Sequence, residues 1–380
     1  MNVNAGARGW SAARRILCVR LDGMGDVLMT TPAMRAFRQS GEKRTLTLLA
    51  SRAGAAIAPF IPEVSDTIEF VAPWMKPEGS NAARDTATIA ELKSRRFDAA
   101  VIFTVYSQSP LPAAYLCYLA GIPLRLAHCR ENPYHLLTDW ISESEPERQI
   151  RHEVRRHLDL AAAVECRTGD ERLSFVVPDS ARERAAAAMR KAGIRTQSPL
   201  VVLHPGASAP SRRYPGSSFA RAMDLVLERT EGAVVFTGSK DEVALVETIR
   251  AAMARESYSL AGRLGLAELG AVLERAALLV ANNTGPVHMA AALGTPVVDL
   301  YALTNPQHTP WQVRNEVLYA DVPCRYCYKS VCPAGHHGCL TRVSPECVAD
   351  AAERLLRGST AAVGFTLRGA DAADRGAVVS

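Results

Sequence analysis

Apolar residues recur along this chain in two alternating rhythms. Short unbroken runs read as buried strands: Ile16–Leu21, Thr45–Ala50 and Ala99–Phe103. Between them, stretches that repeat apolar positions at helical spacing read as helices: Val27–Arg38, Asp85–Ser94 and Leu111–Ala120. Pro32 inside the first of these predicts a kink or a late helix start. A strongly helical stretch, Ser180–Ala192, ends at Gly193, a Thr-Gln-Ser-Pro linker follows, and the rhythm restarts. Leu200–His204, Ala233–Thr237, Leu278–Ala281 and Val297–Tyr301 are the expected strands of this second half. Ser217–Arg229, Lys240–Glu256, Leu266–Arg275 and Pro286–Leu293 are its expected helices, and Pro345–Leu356 is a final one. Strand–helix alternation of this kind implies parallel strands with helices on both faces.

A chain of 380 residues exceeds one ordinary core, so the α/β rhythm is divided into two Rossmann-like domains, 14–178 and 179–344. The final helix occupies 345–357, and the polar ends, 1–13 and 358–380, are expected to be disordered. A hydrophobic share of 48% with 22% charged residues fits a soluble globular protein. No apolar run reaches the roughly 20 residues of a bilayer span. The apolar run Ile16–Val19 is too short for a secretory signal and meets Arg20 at once, which implies a cytoplasmic protein. The net charge of +5 suits an anionic ligand or membrane surface but is too small to argue for nucleic acid. Cys18, Cys117, Cys129 and Cys166 read as small buried residues. Cys324, Cys327, Cys332 and Cys339, with His336 and His337 nearby, read either as a structural zinc site or as a loop of reduced thiols.

Ligands of open α/β sheets bind at strand ends, so the strand–helix junctions carry the candidate chemistry. After the strand ending at Ala281, Asn283 and Thr284 can cap the next helix, Gly285 allows a tight turn and Pro286 suits the first helical position. Exposed amides and the helix dipole there form an anion site, with His288 in the first turn able to donate to a phosphate or ribose oxygen. The small residues Gly206–Ser208 let backbone approach an anion, and Arg212 with Arg213 can neutralise a diphosphate. At a third junction Gly238 admits a flat base or sugar, while Glu242 either accepts from ribose hydroxyls or complements a helix N-terminus. In the first half, Gly23-x-Gly25 is an incomplete dinucleotide fingerprint, whereas Asp26 is placed to take a proton from an attacking hydroxyl.

In their order along the chain these junctions resemble glycosyltransferase family nine, the ADP-heptose–lipopolysaccharide heptosyltransferases. The resemblance rests on Arg20, Gly25, Asp26, Thr31 and Pro32, on Pro205–Ser208 with Arg212–Pro215, on Gly238 with Glu242, and on Gly285–Pro296. It implies a GT-B fold: two facing Rossmann-like domains with a cleft between them, acceptor in the first, donor in the second, and a last helix crossing back. It further implies inverting heptose transfer from an ADP-sugar without metal or cofactor. Asp26 falls on the general base, Ser208 and Arg212 on the diphosphate loop, and Gly238 and Glu242 on the ribose- or base-contacting element. Thr284, Gly285, Pro286 and His288 fall on the diphosphate and ribose loop, and Asn283 stands where the family commonly carries Asp. Arg212 replaces the usual lysine, which keeps the charge and changes the donor geometry.

The implied partners are an ADP-sugar, a lipid-linked anionic saccharide and, transiently, the cytoplasmic face of the inner membrane. Arg125, Arg130, Arg148, Arg151, Arg155 and Arg156 are candidates to meet that acceptor, although His152–His157 reads better as a solvated helix face. The competing readings are a GT-B enzyme for another nucleotide-sugar, an epimerase on the same scaffold, and a non-catalytic sugar-nucleotide-binding relative. The retained carboxylate of Asp26 weighs against the last.

Overall fold

The computed structural model describes residues 9–75, 81–194, 198–358 and 367–369. The chain divides into two compact units, Met1–Val176 and Val177–Ser380.

In the first unit the strands are β1 (Arg15–Arg20), β2 (Thr45–Ala50), β3 (Asp66–Glu69), β4 (Ala99–Ile102), β5 (Leu124–Cys129) and β6 (Asp139–Ser142). They form one parallel sheet in the order β3-β2-β1-β4-β5-β6. The connecting helices include α1 (Met24–Gln39), α2 (Arg52–Ile57), α3 (Ala82–Arg95), α4 (Leu111–Leu119) and α5 (Glu153–Ala162). β1 and β4 are near-continuous apolar runs because a parallel sheet is covered on both faces. Leu17, Val19 and Ile102 pack beneath Leu49, Ala113, Leu116 and Cys117. The strand order reverses between β1 and β4, so the loops after those strands part at a crevice.

α1 starts at Met24, earlier than expected, and runs through Pro32. Proline lacks the amide that would bond the Leu28 carbonyl, and the Thr31 hydroxyl donates there instead at 2.7 Å. That local substitution explains how the helix tolerates its proline. The expected disorder of residues 1–13 is corrected for its described part. Residues 9–12 form a helical turn, and Trp10 is fully buried with its indole N–H on Asp139 Oδ2 at 3.0 Å. Residues 1–8 lie outside the described residues.

The second unit holds β7 (Leu200–His204), β8 (Ala233–Phe236), β9 (Tyr258–Ser259), β10 (Leu278–Asn282), β11 (Val297–Leu300), β12 (Asn315–Tyr319) and β13 (Leu367–Gly369). Its parallel sheet runs β13-β12-β11-β10-β7-β8-β9 and reverses between β7 and β10. Around it lie α6 (Asp179–Lys191), α7 (Gly216–Arg229), α8 (Val243–Ala251), α9 (Leu266–Arg275), α10 (Gly285–Leu293), α11 (Gly338–Thr341) and α12 (Pro345–Leu356). α12 inserts Val348, Ala349, Ala351, Ala352 and Leu355 into the core of this same unit, beside Phe219 and Met223 of α7.

Two expectations change here. The helix read over Lys240–Glu256 is a 3-10 turn, Lys240–Glu242, followed by α8, which stops at Ala251. Asp224 accepts the amides of Ala254 and Arg255 at 2.9 and 3.0 Å, which fixes a turn where the helical pattern would have continued. The tail was expected to be disordered from residue 358, yet Leu367–Gly369 pairs with β12. Residues 359–366 and 370–380 lie outside the described residues.

Candidate active site

The first unit's crevice is organised by one arginine. Arg20 ends β1 with a fully buried side chain, and three carboxylates converge on it. Nε lies 3.2 Å from Asp22, one Nη 3.3 Å from Asp26 and the other 3.1 Å from Glu153. Asp26 occupies the first turn of α1, where its second oxygen accepts the Gly23 amide at 2.9 Å, and its side chain is 21% exposed. The carboxylate is thus held at both oxygens and remains partly exposed. Both contacts suit an ionised acid.

Glu153 and His157, four residues apart on α5, complete the network from below. His157 Nε2 is 3.0 Å from Glu153, and its Nδ1 is 3.3 Å from the Thr30 hydroxyl, which donates to the Asp26 carbonyl. Burial pushes the His157 ring down to about 4, outweighing Glu153, so the imidazole is neutral at physiological pH. Burial also opposes charge on Glu153, but His157 and Arg20 overcome it and hold the carboxyl well below its usual range. The segment expected as a solvated helix face is therefore core: Glu153, Arg156 and His157 are at most 1% exposed. An apolar helix face can carry charge when each charge meets its complement.

The basic residues expected to meet an anionic acceptor are also largely committed within the unit. Arg130 pairs with Glu147, Arg151 with Glu145 and Asp159, Arg155 with Glu171, and Arg156 with Glu143. Arg125 donates to the carbonyls of Leu136 and His135.

Between the loops after β1 and β4 lies a cavity of about 270 Å³, walled by Leu21, Trp74, Met75, Phe103 and Pro112. Its polar groups are Asp22, Thr104, Gln108 and Ser109. Gln108 Nε2 donates to Asp22 Oδ1 at 2.8 Å. Burial raises the Asp22 carboxyl, and the charge of Asp26 adds to the rise against the pull of Arg20.

At the second unit's switch point the contacts are mostly between neutral groups. Asn282, the last residue of β10, donates to the Pro205 carbonyl at 2.7 Å and accepts the Tyr214 amide at 2.9 Å. It thereby ties the β10 loop to the β7 loop. Glu242 joins the third junction to the second. Its carboxylate accepts the Ser239 amide at 2.7 Å and lies over Gly206, where a β-carbon would sit 1.9 Å from Oε1. Glycine is required at 206 for that approach. His204 stands 3.9 Å from the same carboxylate and bonds Thr237 at 3.1 Å. Gly238 sits directly under the Glu242 side chain.

Thr284 occupies the N-cap position of α10, but its hydroxyl donates back to the Asn282 carbonyl at 3.1 Å instead of capping the helix. The Gly285 amide is thereby left without a side-chain cap, while Pro286 has no N–H and the Val287 amide donates to the Thr284 carbonyl at 3.0 Å. His288 is buried in that turn. Asn283 turns inward: its amide donates to Asp299 Oδ2 and to the His308 carbonyl, each at 2.8 Å. Arg212 ends a 3-10 turn, half-buried, close enough to Tyr301 for its charge to act on the buried phenol. Ser208 is exposed and takes no part in these links.

A family model described as glycosyltransferase family 9 (heptosyltransferase) matches residues 86–337. This chain belongs to glycosyltransferase family 9. Lipooligosaccharide heptosyltransferase 2 of Haemophilus ducreyi is 24% identical over 359 residues, covering 90% of this chain and 99% of that one. A family 9 glycosyl transferase from Veillonella parvula superposes with a TM-score of 0.76 at 22% identity, over 91% of this chain and 98% of that one. ADP-heptose lps heptosyltransferase II of E. coli superposes at 0.71 with 21% identity, over 90% and 99%. These likenesses establish the α/β fold of GT-B type, and family membership makes the protein a glycosyltransferase.

The cysteine segment of this glycosyltransferase supports the Arg212 turn. The Ser211 hydroxyl donates to the Lys329 carbonyl at 2.7 Å and its amide to Ser330 at 3.0 Å. Cys324 Sγ is 3.8 Å from His336 Nε2, but His336 Nδ1 is taken by the Gly338 amide. Among the described residues no group of three or more His, Cys, Asp or Glu side chains is placed to hold a metal ion, and the nine cysteines are free thiols.

Motif reading did not assign catalytic or binding roles to Asp22, Gln108, Glu153, His157 or Asp299. Arg20 and Asp299 each place a charge within an apolar strand, and that was the available signal for a buried polar network.

Proposed function

We propose that this glycosyltransferase moves heptose from ADP-heptose to a saccharide of the lipopolysaccharide core, with inversion and without a metal. The observation that carries the reading is the Asp26 carboxylate, anchored by Arg20 and the Gly23 amide and partly exposed. Such a group can remove the proton of an acceptor hydroxyl as the oxygen attacks the anomeric carbon from the face opposite the leaving group. The new glycosidic bond forms as the bond to the diphosphate breaks, and configuration inverts. The proton passes to Asp26.

The second unit supplies the donor half in this proposal. Charge developing on the leaving ADP meets Arg212, the Gly285 amide and the positive end of the α10 dipole. Ser208, Gly285, Pro286 and Thr284 shape the diphosphate loop, His288 supports its first turn, and Glu242 above Gly206 and Gly238 accepts from the ribose. Asn283, which stands where the family commonly carries Asp, spends its amide on Asp299 and a backbone carbonyl. Its contacts are structural, which supports keeping heptose as the proposed donor sugar. A lipid-linked acceptor calls for transient contact with a membrane. The exposed Tyr115, Tyr118 and Leu119 of α4 suit an interface, and no helix among the described residues is long and apolar enough to cross a bilayer.

Two measurements test this. ADP-, GDP- and UDP-sugars are offered in a thermal-shift assay, with ADP-heptose expected to stabilise most. Stabilisation by UDP- or GDP-sugars alone would remove the donor assignment. Asp26→Asn should keep the donor-induced shift while transfer falls by about 10²–10⁴-fold. Wild-type turnover in that variant would remove Asp26 from the reaction.

A further inference from the structure

We propose that the cavity between the β1 and β4 loops receives an uncharged sugar residue of the acceptor, held by Asp22, Gln108 and Thr104, and rejects an acidic one. This rests on the reading that the first unit takes the acceptor and that Asp26 is its base.

The first argument is chemical fit. The cavity is about 270 Å³, near the lower end of ligand pockets. Its walls are flat and apolar at Trp74 and Phe103, surfaces that suit the C–H faces of a pyranose. Its polar groups are arranged for hydroxyls. Asp22 accepts from Gln108 and lies 3.2 Å from the Arg20 guanidinium as an ion pair, which leaves it further lone pairs, and the Gln108 carbonyl is a second acceptor. Thr104 lines the cavity, and its buried Oγ1 has no hydrogen-bond partner in the protein, which is costly unless a ligand supplies one.

The second argument is charge. One guanidinium, Arg20, faces three carboxylates, Asp22, Asp26 and Glu153, and the neighbouring His157 is neutral. At the rim, Ser109 donates to a fourth carboxylate, Glu131, at 2.8 Å. The nearby arginines that could have offset this are paired with Glu143, Glu145, Glu147 and Glu171. Among the described residues lining the cavity none is a cation. A sugar carboxylate entering here meets repulsion in a poorly screened site, whereas a neutral polyol finds acceptors. The acceptor's anionic groups therefore belong on residues outside the cavity.

The test uses the full-length protein and saturation-transfer NMR. The probes are methyl α-D-mannopyranoside and methyl α-D-glucopyranoside, each against its uronate, which differs only at C6. The neutral glycosides are expected to bind at least about tenfold tighter, and Asp22→Asn to reduce that gap to about threefold. Ser109→Arg, at an exposed position that should not disturb folding, is expected to raise uronate binding several-fold by the same logic. Equal or tighter uronate binding in the native protein overturns the proposal, as does binding of neither class. An unchanged preference in both variants overturns it too. A reversed preference alongside an intact requirement for Asp26 sinks this inference alone. Turnover that survives Asp26→Asn sinks the reading beneath it.

Discussion

The two switch points of this molecule are built on the same topology and stabilised by opposite means. After β1, a buried arginine gathers Asp22, Asp26 and Glu153, and charge holds the loop. After β10, Asn282 and Asn283 do the equivalent work with amide hydrogen bonds, and formal charge stays at Arg212 and Glu242 on neighbouring loops. The difference matches the chemistry proposed for each. A base needs its carboxylate held ionised and aimed, which a fixed guanidinium does. An anion site needs donors that remain uncommitted. The hydroxyl of Thr284 makes this concrete, since it bonds Asn282 and leaves the Gly285 amide without a side-chain cap.

The comparison breaks most decisively at Arg20. Replacing it with methionine keeps the volume but strands Glu153 and Asp22 without their counter-charge. Loss of one partner of a buried ion pair costs about 3–5 kcal/mol. Denaturant unfolding of Arg20→Met should show a loss of that size, whereas Arg212→Met, half-buried at a loop, should lose under about 1 kcal/mol. Similar losses in the two variants would mean that the first loop is not charge-built.

How much of this was legible beforehand follows the same division. Both sheets, most element bounds and the four junctions could be read from apolar rhythm and loop residues, because strand burial and helix periodicity are local properties. Asp26, Arg212 and Glu242 stood out because they lie in short motifs. Glu153 and His157 did not, since their partner Arg20 is 133 residues from Glu153 and only tertiary packing brings them together. Without that partner, a Glu–His–Arg-rich helix reads as solvated. Strands β3, β5, β6, β9 and β12 carry no such signal because they are very short or their polar residues break the apolar run, as in DTIE and DWIS. Asp299 escaped for a related reason: its meaning depends on Asn283, sixteen positions earlier on the adjacent strand's loop.

Asp299 gives the second test. Buried on β11, with one oxygen on Asn283 and the other lacking a partner, its carboxyl is pushed up to about 8 by burial, which the Asn283 bond only partly opposes. A folded-state value above the unfolded one means that the native state holds the proton more tightly. The resulting stability is full below the unfolded value near 3.8 and is lost as pH rises toward 8. The loss is at most about 1.4 kcal/mol for each pH unit in that window. Asp299→Asn should flatten the profile of Tm against pH and raise Tm at pH about 8 relative to the native protein. If the two profiles run parallel, Asp299 does not titrate in that window.

The smallest expected effect sharpens the comparison most, because it separates binding from folding. At Gly206 an added β-carbon would sit 1.9 Å from Glu242 Oε1 and 2.2 Å from its Cδ. Those atoms are the end of a flexible side chain, so the carboxylate can swing aside at little cost to the fold. What it leaves behind is the Ser239 amide and the proposed ribose contact. Gly206→Ala should therefore leave Tm within about 2 °C of native. It should raise the donor KM by roughly tenfold, equivalent to one hydrogen bond to a charged group, with kcat little changed. Glu242→Ala should give the same KM, and the double variant no more than either alone, because both substitutions remove one contact. Additive effects would separate Gly206 from Glu242 and give the glycine a role of its own in approaching the diphosphate.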